Sequence, residues 1–133
     1  MSSPSVNWRN RIIRYRLEAS QCPHCGTKHF PPRKVCYDCG YRHDSPEERM
    51  ALKGTGVVLN YTIVNEAPPA FKLQKPYVMA LIRLDEGLTV IGQIVDVDID
   101  KIERGMKVRA VFRKLGEESK EGLILYGNKW TPI

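Results

Sequence analysis

No apolar run in this chain approaches the roughly 18 residues that a membrane-crossing helix needs, so no bilayer span is expected. The opening Met1-Ser2-Ser3-Pro4-Ser5 lacks the apolar core of a secretory leader, which points to a cytoplasmic setting where thiols stay reduced. Histidine is scarce: His24, His29 and His43 are all there is, and none belongs to a carboxylate arrangement resembling a triad. No serine stands in a nucleophile motif either, so catalysis by this chain alone is not expected. Gly54-Thr55-Gly56 lacks the third glycine of a dinucleotide fingerprint and opens a strand pattern instead of a helix. Asp96-Val97-Asp98-Ile99-Asp100 begins like a calcium loop, but Lys101 stands where glycine is required and Lys107 where the bidentate glutamate is required.

Cysteine is also rare, and its placement is the strongest signal present. All 4 cysteines of the 133 residues form two CxxC pairs, Cys22-Pro23-His24-Cys25-Gly26 and Cys36-Tyr37-Asp38-Cys39-Gly40. A CxxC turn aims two sulfurs at one point, and two such turns complete a tetrahedron of thiolates around Zn²⁺. The glycine after each pair permits the positive φ that turns backbone amides towards the sulfurs. Disulfides would require an oxidising compartment, and a thioredoxin-like redox pair would require a βαβ pattern that is absent. The expected cofactor is structural zinc in a rubredoxin-like ribbon, with iron as the alternative ion. The gap between pairs is shorter than the usual ribbon spacing of about 15–20 residues, which shortens the connecting arm. His24, His29 and His43 are available as substitute ligands, but four cysteines already fill the shell.

Charge is uneven. Residues 1–53 hold ten Lys/Arg against five Asp/Glu, whereas residues 54–133 hold eleven against ten, so an anionic partner would meet the N-terminal part. From Val6 to about Ala19 the pattern predicts an amphipathic helix, with Trp8, Ile12 and Tyr15 in one stripe, widened by Ile13 and Leu17, and Arg9, Arg11, Arg14 and Arg16 around it. That stripe either packs on its own domain or is offered to a partner, since Trp and Arg are favoured interface anchors. Between the cysteine pairs, Pro31 and Pro32 stiffen an arm that cannot be a central strand. Its Phe30 either covers the metal or, with Arg33, presents a pre-ordered surface. Polar residues 41–53 read as a link out of the ribbon.

From Gly54 the pattern becomes strands: Val57–Val64, then Tyr77–Leu84 and Leu88–Val95 as a hairpin turning at Asp85-Glu86-Gly87. A loop rich in proline, residues 65–76, separates the first two. Asp96–Met106 predicts a short turn containing Ile99 and Ile102, Lys107–Lys114 alternates as a half-buried strand, and a charged loop, residues 115–121, leads to a fifth strand over Gly122–Gly127. Trp130 closes the chain. Five strands, a helical turn after the third, and glycines where strands bend (Gly54, Gly56, Gly92) predict an OB-type barrel. The fold is thus mainly β: an N-terminal helix over 1–20, a zinc ribbon with its linker over 21–53, and an OB barrel over 54–133. Tyr61, Tyr77, Phe112 and Tyr126 are expected chiefly as barrel core, with base stacking as the alternative.

Taken together, the paired knuckles, the Phe30-Pro31-Pro32-Arg33 arm, Gly54-Thr55-Gly56 running into Tyr61-Thr62, and the closing Tyr126-Gly127-Asn128-Lys129-Trp130-Thr131-Pro132 resemble a known family. It is the zinc-ribbon/OB-fold family once catalogued as a domain of unknown function and found beside thiolase genes. The resemblance covers nearly the whole chain, including the Trp8 helix. It implies a non-catalytic scaffold for thiolase-superfamily enzymes. Archaeal proteins of this type resemble a bridge between acetoacetyl-CoA thiolase and HMG-CoA synthase in the mevalonate pathway, and acyl-CoA binding is also implied. On this reading Trp8, Arg11, Tyr15, Phe30 and Arg33 are the partner-binding or ligand-binding residues, and Cys22, Cys25, Cys36 and Cys39 hold the metal. The alternative is a single-stranded nucleic-acid-binding protein, as ribbons and OB barrels often are, although the near-neutral barrel argues against it.

Overall fold

Pro4 opens a helix, its missing N–H costing nothing in the first turn. The computed structural model describes residues 4–42, 49–66, 76–117 and 124–133. They fall into two compact units, Met1–Lys53 and Gly54–Ile133. Among the described residues, no helix is long and apolar enough to cross a membrane.

The helix expected to reach Ala19 is instead two short ones, α1 (Pro4–Arg9) and α2 (Arg11–Arg16). Helical hydrogen bonding carries through the irregularity at Asn10, whose N–H donates to the Val6 carbonyl at 3.1 Å while its own carbonyl accepts from Arg14 at 3.2 Å. The run ends at Leu17, which takes a left-handed conformation (φ 49°) and donates its N–H to the Ile13 carbonyl. Glu18–Gln21 then forms β1. Helix propensity loses here to burial and pairing, because Ala19 and Ser20 are buried and both edges of β1 are taken by other strands.

Those neighbours are β2 (Lys28–His29) and β3 (Arg49–Ala51), giving the order β2-β1-β3. β2 is an edge strand, in keeping with the prolines that follow it. β3 corrects the expectation of a plain link over 41–53. Its register sets Glu18 against Ala51, Ala19 against Met50 and Ser20 against Arg49, with an Arg49–Glu18 ion pair at 3.6 Å. Residues 43–48 of that link, His43 among them, lie outside the described residues.

The second unit is a closed barrel of β4 (Thr55–Val64), β5 (Tyr77–Leu84), β6 (Thr89–Ile94), β7 (Lys107–Glu117) and β8 (Ile124–Pro132), in the order β4-β5-β6-β8-β7. This is the five-stranded OB architecture. A 3-10 turn at Ile99–Lys101 sits between β6 and β7, as the isoleucine pattern predicts, and Ile102 behind it is buried. Alternation places Val78, Ala80, Ile82 and Leu84 of β5 inside, facing Val58, Val90, Ile94, Val108 and Trp130. Each fully buried aliphatic side chain of this kind contributes about 1.5–3 kcal/mol. The proline-rich loop lies outside the described residues over 67–75. So does the charged loop over 118–121, with the expected start of the fifth strand at Gly122 and Leu123.

Two strands exceed their predicted lengths. β7 continues to Glu117, and β8 runs through Trp130 to Pro132. The reason is mutual pairing: Ala110 lies opposite Trp130 and Val108 opposite Pro132. β8 also meets β6 in parallel, where the Val95 N–H donates to the Trp130 carbonyl at 2.7 Å and closes the barrel. Gly92 is needed beside it, because a Cβ there would collide with the Trp130 indole. Gly92→Ala should therefore cost about 1–3 kcal/mol through overpacking. Combining it with Trp130→Leu should cost less than the sum of the single changes, as read from urea unfolding midpoints of the barrel.

Candidate metal centre and docking face

The two knuckles fold into the same turn. Cys22 N–H donates to the Thr27 carbonyl and Gly26 N–H to the Cys22 carbonyl, both at 2.9 Å. In the second knuckle Cys36 N–H donates to Tyr41 at 2.9 Å and Gly40 N–H to Cys36 at 3.0 Å. Gly26 (φ 76°) and Gly40 (φ 75°) supply the left-handed residue each turn needs. The four Sγ atoms all lie within 4.8 Å of one another. Cys22 and Cys39 approach to 3.6 Å and Cys25 and Cys36 to 3.5 Å, close to the roughly 3.8 Å edge of a tetrahedron with Zn–S bonds of about 2.3 Å. All four cysteines are free in this structure. Among the described residues only these four side chains form a metal-competent cluster. His24 stacks on Tyr41, and His29 is buried edge-on against Tyr37, so neither serves as a ligand.

Protonation separates the sulfurs. The Thr27 hydroxyl, 3.1 Å from Cys25 Sγ, and then the Thr27 backbone N–H pull the Cys25 thiol down to about 6. The Tyr41 backbone N–H favours the Cys39 thiolate, yet desolvation and the neighbouring sulfurs of Cys25, Cys22 and Cys36 outweigh it and push Cys39 up to about 12. Four thiolates at these separations repel, and a divalent cation removes that conflict. The Thr27 hydroxyl also lies 2.9 Å from Asp38, to which its one O–H donates when it is not turned to the sulfur, linking the first knuckle to the second.

The N-terminal unit has little else to hold it. Among its described residues the buried apolar side chains are Ala19, Cys22, Cys36 and Leu52, two of them metal-site cysteines. A structural zinc contributes about 10–16 kcal/mol to folding in comparable small modules.

The stripe expected on the helix faces outward. Trp8 is 57% exposed, Ile12 42% and Tyr15 41%, while the adjacent Asn7 is buried and accepts a hydrogen bond from Arg14 at 3.0 Å. The Arg11 guanidinium lies 3.8 Å over the Trp8 ring and donates to the Trp8 carbonyl at 2.7 Å. Phe30 is half-buried behind a cis Phe30–Pro31 peptide. Arg33 is exposed; its backbone N–H donates to Ser20 Oγ at 3.1 Å and its guanidinium approaches the Tyr37 ring at 5.6 Å. Tyr37 is itself 64% exposed, and with Tyr41 it was missed from the sequence. The available signal was its position inside a CxxC turn, where the chain has no room to bury a ring.

The barrel aromatics divide. Tyr61 and Tyr77 are half-buried. Phe112 and Tyr126 are exposed, contrary to the core assignment, and stack on each other with centroids 5.3 Å apart. They sit where β7 and β8 pair beyond the part of the barrel that β6 covers. The outer face of β4, β5 and β6 carries a shallow apolar groove of about 270 Å³ between Asn60, Thr62, Met79, Leu81 and Ile91.

Known proteins place this arrangement. Residues 14–42 match the model described as the ChsH2 rubredoxin-like zinc ribbon domain, and residues 50–113 match the ChsH2 C-terminal OB-fold domain. A protein of Methanocaldococcus jannaschii called a DUF35 domain-containing scaffold protein is 42% identical over 96% of this chain and 89% of its own length. The chain belongs to the DUF35 family. The solved structure named Ltp2-ChsH2(DUF35) aldolase matches with TM-score 0.71 and 30% identity, over 99% of this chain and 95% of that one. A Thermomonospora curvata protein called a probable enoyl-CoA hydratase alpha subunit is 36% identical over 79% of this chain, but only 33% of its own length is covered. The family's ribbon model names zinc, and the four-sulfur cluster fits that ion.

Removing the metal with a strong chelator under reducing conditions should unfold the N-terminal unit and leave barrel amides protected, as read by hydrogen exchange. Cys36→Ala should do the same without chelator. Because protons compete with zinc for thiolates, acid should release the ion. Because the metal-free unit is unfolded and its thiols return to their ordinary range of about 8.5, zinc loading at neutral pH should release close to one proton per cysteine, measurable by titration in weakly buffered solution.

Proposed function

We propose that this chain is a non-catalytic docking subunit for enzymes of the thiolase superfamily, with acetoacetyl-CoA thiolase and HMG-CoA synthase as its partners. The observation that carries this is the outward stripe of Trp8, Ile12 and Tyr15. An amphipathic helix that leaves its large apolar residues in solvent is built to cover them with another surface. Arg11 over Trp8 and Arg33 beside Tyr37 add the residue types that dominate interface energetics. The scaffold name of the jannaschii relative and the complex named for the solved neighbour support an enzyme partner.

The benefit of such a subunit follows from equilibrium. Thiolase condensation yields little acetoacetyl-CoA, so a second enzyme must draw it away, and holding both together raises the effective concentration of the intermediate. The basic excess of residues 1–53 suits the phosphates of an acyl-CoA in transit.

The nucleic-acid alternative rests on the exposed Phe112–Tyr126 pair. Those rings already stack on each other, the neighbouring Arg113 is paired with Asp96 at 2.8 Å, and the groove on the outer face of β4, β5 and β6 is apolar instead of basic. Single-strand binders need the opposite pattern.

Tagged protein should capture a thiolase from native extract at fixed ratio. Trp8→Ala or Arg33→Ala should weaken that capture by about 2 kcal/mol, a roughly 30-fold change, with zinc content unchanged. Recovery of nucleic acid alone, with binding that falls steeply as salt rises, would refute the docking role.

A further inference from the structure

Each knuckle contributes one buried and one exposed cysteine: Cys22 and Cys36 are buried, Cys25 and Cys39 exposed. The approaches at 3.5 and 3.6 Å both run across the knuckles and both join an exposed cysteine to a buried one, Cys25 to Cys36 and Cys39 to Cys22. An oxidant arriving from solvent therefore meets a thiolate whose resolving partner already waits behind it on the other turn.

We infer that the metal site is a peroxide-responsive switch, in which oxidation at Cys25 or Cys39 forms a disulfide between the knuckles and expels the zinc. The exposed thiolate attacks one oxygen of hydrogen peroxide; the O–O bond breaks, hydroxide leaves and takes up a solvent proton, and the sulfur becomes a sulfenic acid. The facing thiolate then attacks that sulfur, the S–S bond forms, the S–O bond breaks and a second hydroxide departs. Two thiolates lose two electrons and one peroxide gains them. The two sulfurs that remain cannot complete a closed tetrahedral shell, so the ion leaves. Accessibility supports this order, since buried structural thiols are inert while exposed thiolates react. The arm that carries Phe30 and Arg33 lies between Cys25 and Cys36, so the new covalent bond would close a loop around it. This response is separate from the docking role and stands whether or not an enzyme partner is found.

The sequence provides a direct readout. Trypsin cuts after Arg16, Lys28, Arg33, Lys34 and Arg42, placing Cys22 and Cys25 in one peptide, Leu17–Lys28, and Cys36 and Cys39 in another, Val35–Arg42. The zinc-loaded full chain would be treated with hydrogen peroxide in the presence of a chromogenic zinc chelator, then alkylated, digested and analysed by mass spectrometry. The expected result is zinc release that requires peroxide, with the two peptides recovered covalently joined, and recovery of the zinc form after dithiothreitol and added Zn²⁺. Zinc that stays bound under peroxide would overturn the inference. So would separate peptides, whether each is closed within its own CxxC or carries sulfinic acid.

Discussion

Mutual repulsion of four sulfurs held within 4.8 Å of one another is the constraint on which the N-terminal unit depends. Two backbone turns of the same kind force that approach, and a divalent cation turns it from a penalty into the main source of cohesion. Among its described residues the unit has few buried apolar groups with which to compensate. Its other features hang from the metal: the arm anchored through Arg33 to Ser20, the Tyr37 ring inside the second knuckle, and the Thr27–Asp38 bond between knuckles.

The barrel is stabilised by a different means. Its interior alternates along β5 and is closed at one point by Trp130, whose indole occupies the space that Gly92 leaves. Closure leaves few free sheet edges, so this unit needs no metal. The contrast extends to the surfaces. Exposed aromatic side chains concentrate on the helices and the ribbon, whereas the groove on the outer face of β4, β5 and β6 is largely apolar. Charge follows the same division, with nearly all of the net positive excess in residues 1–53.

Much of this was legible in residue order. Cysteine spacing with trailing glycines identifies a tetrathiolate site because such turns bring sulfurs together locally. The strand over Tyr77–Leu84, the alternation over Lys107–Lys114 and the isoleucines around the 3-10 turn were equally clear. The readings that missed share a cause. Leu17 ends the helix, and Arg49–Ala51 forms a strand, only because Glu18–Gln21 pairs with segments distant in sequence. β8 continues to Pro132 for the same reason, its partner in β7 lying beyond a loop. Phe112 and Tyr126 follow an inward alternation but stand where β6 no longer covers them.

The sequence by itself determined the metal chemistry, the five barrel strands and the position of the basic charge, because each depends on residue type and short-range spacing. Only the tertiary structure decided that Trp8, Ile12 and Tyr15 face solvent, that Tyr37 joins Arg33, and that the close sulfur contacts cross from one knuckle to the other. Whether an apolar stripe is covered, or which of several thiols meet, depends on which remote segments occupy the neighbouring space, and periodicity along a chain carries no record of that.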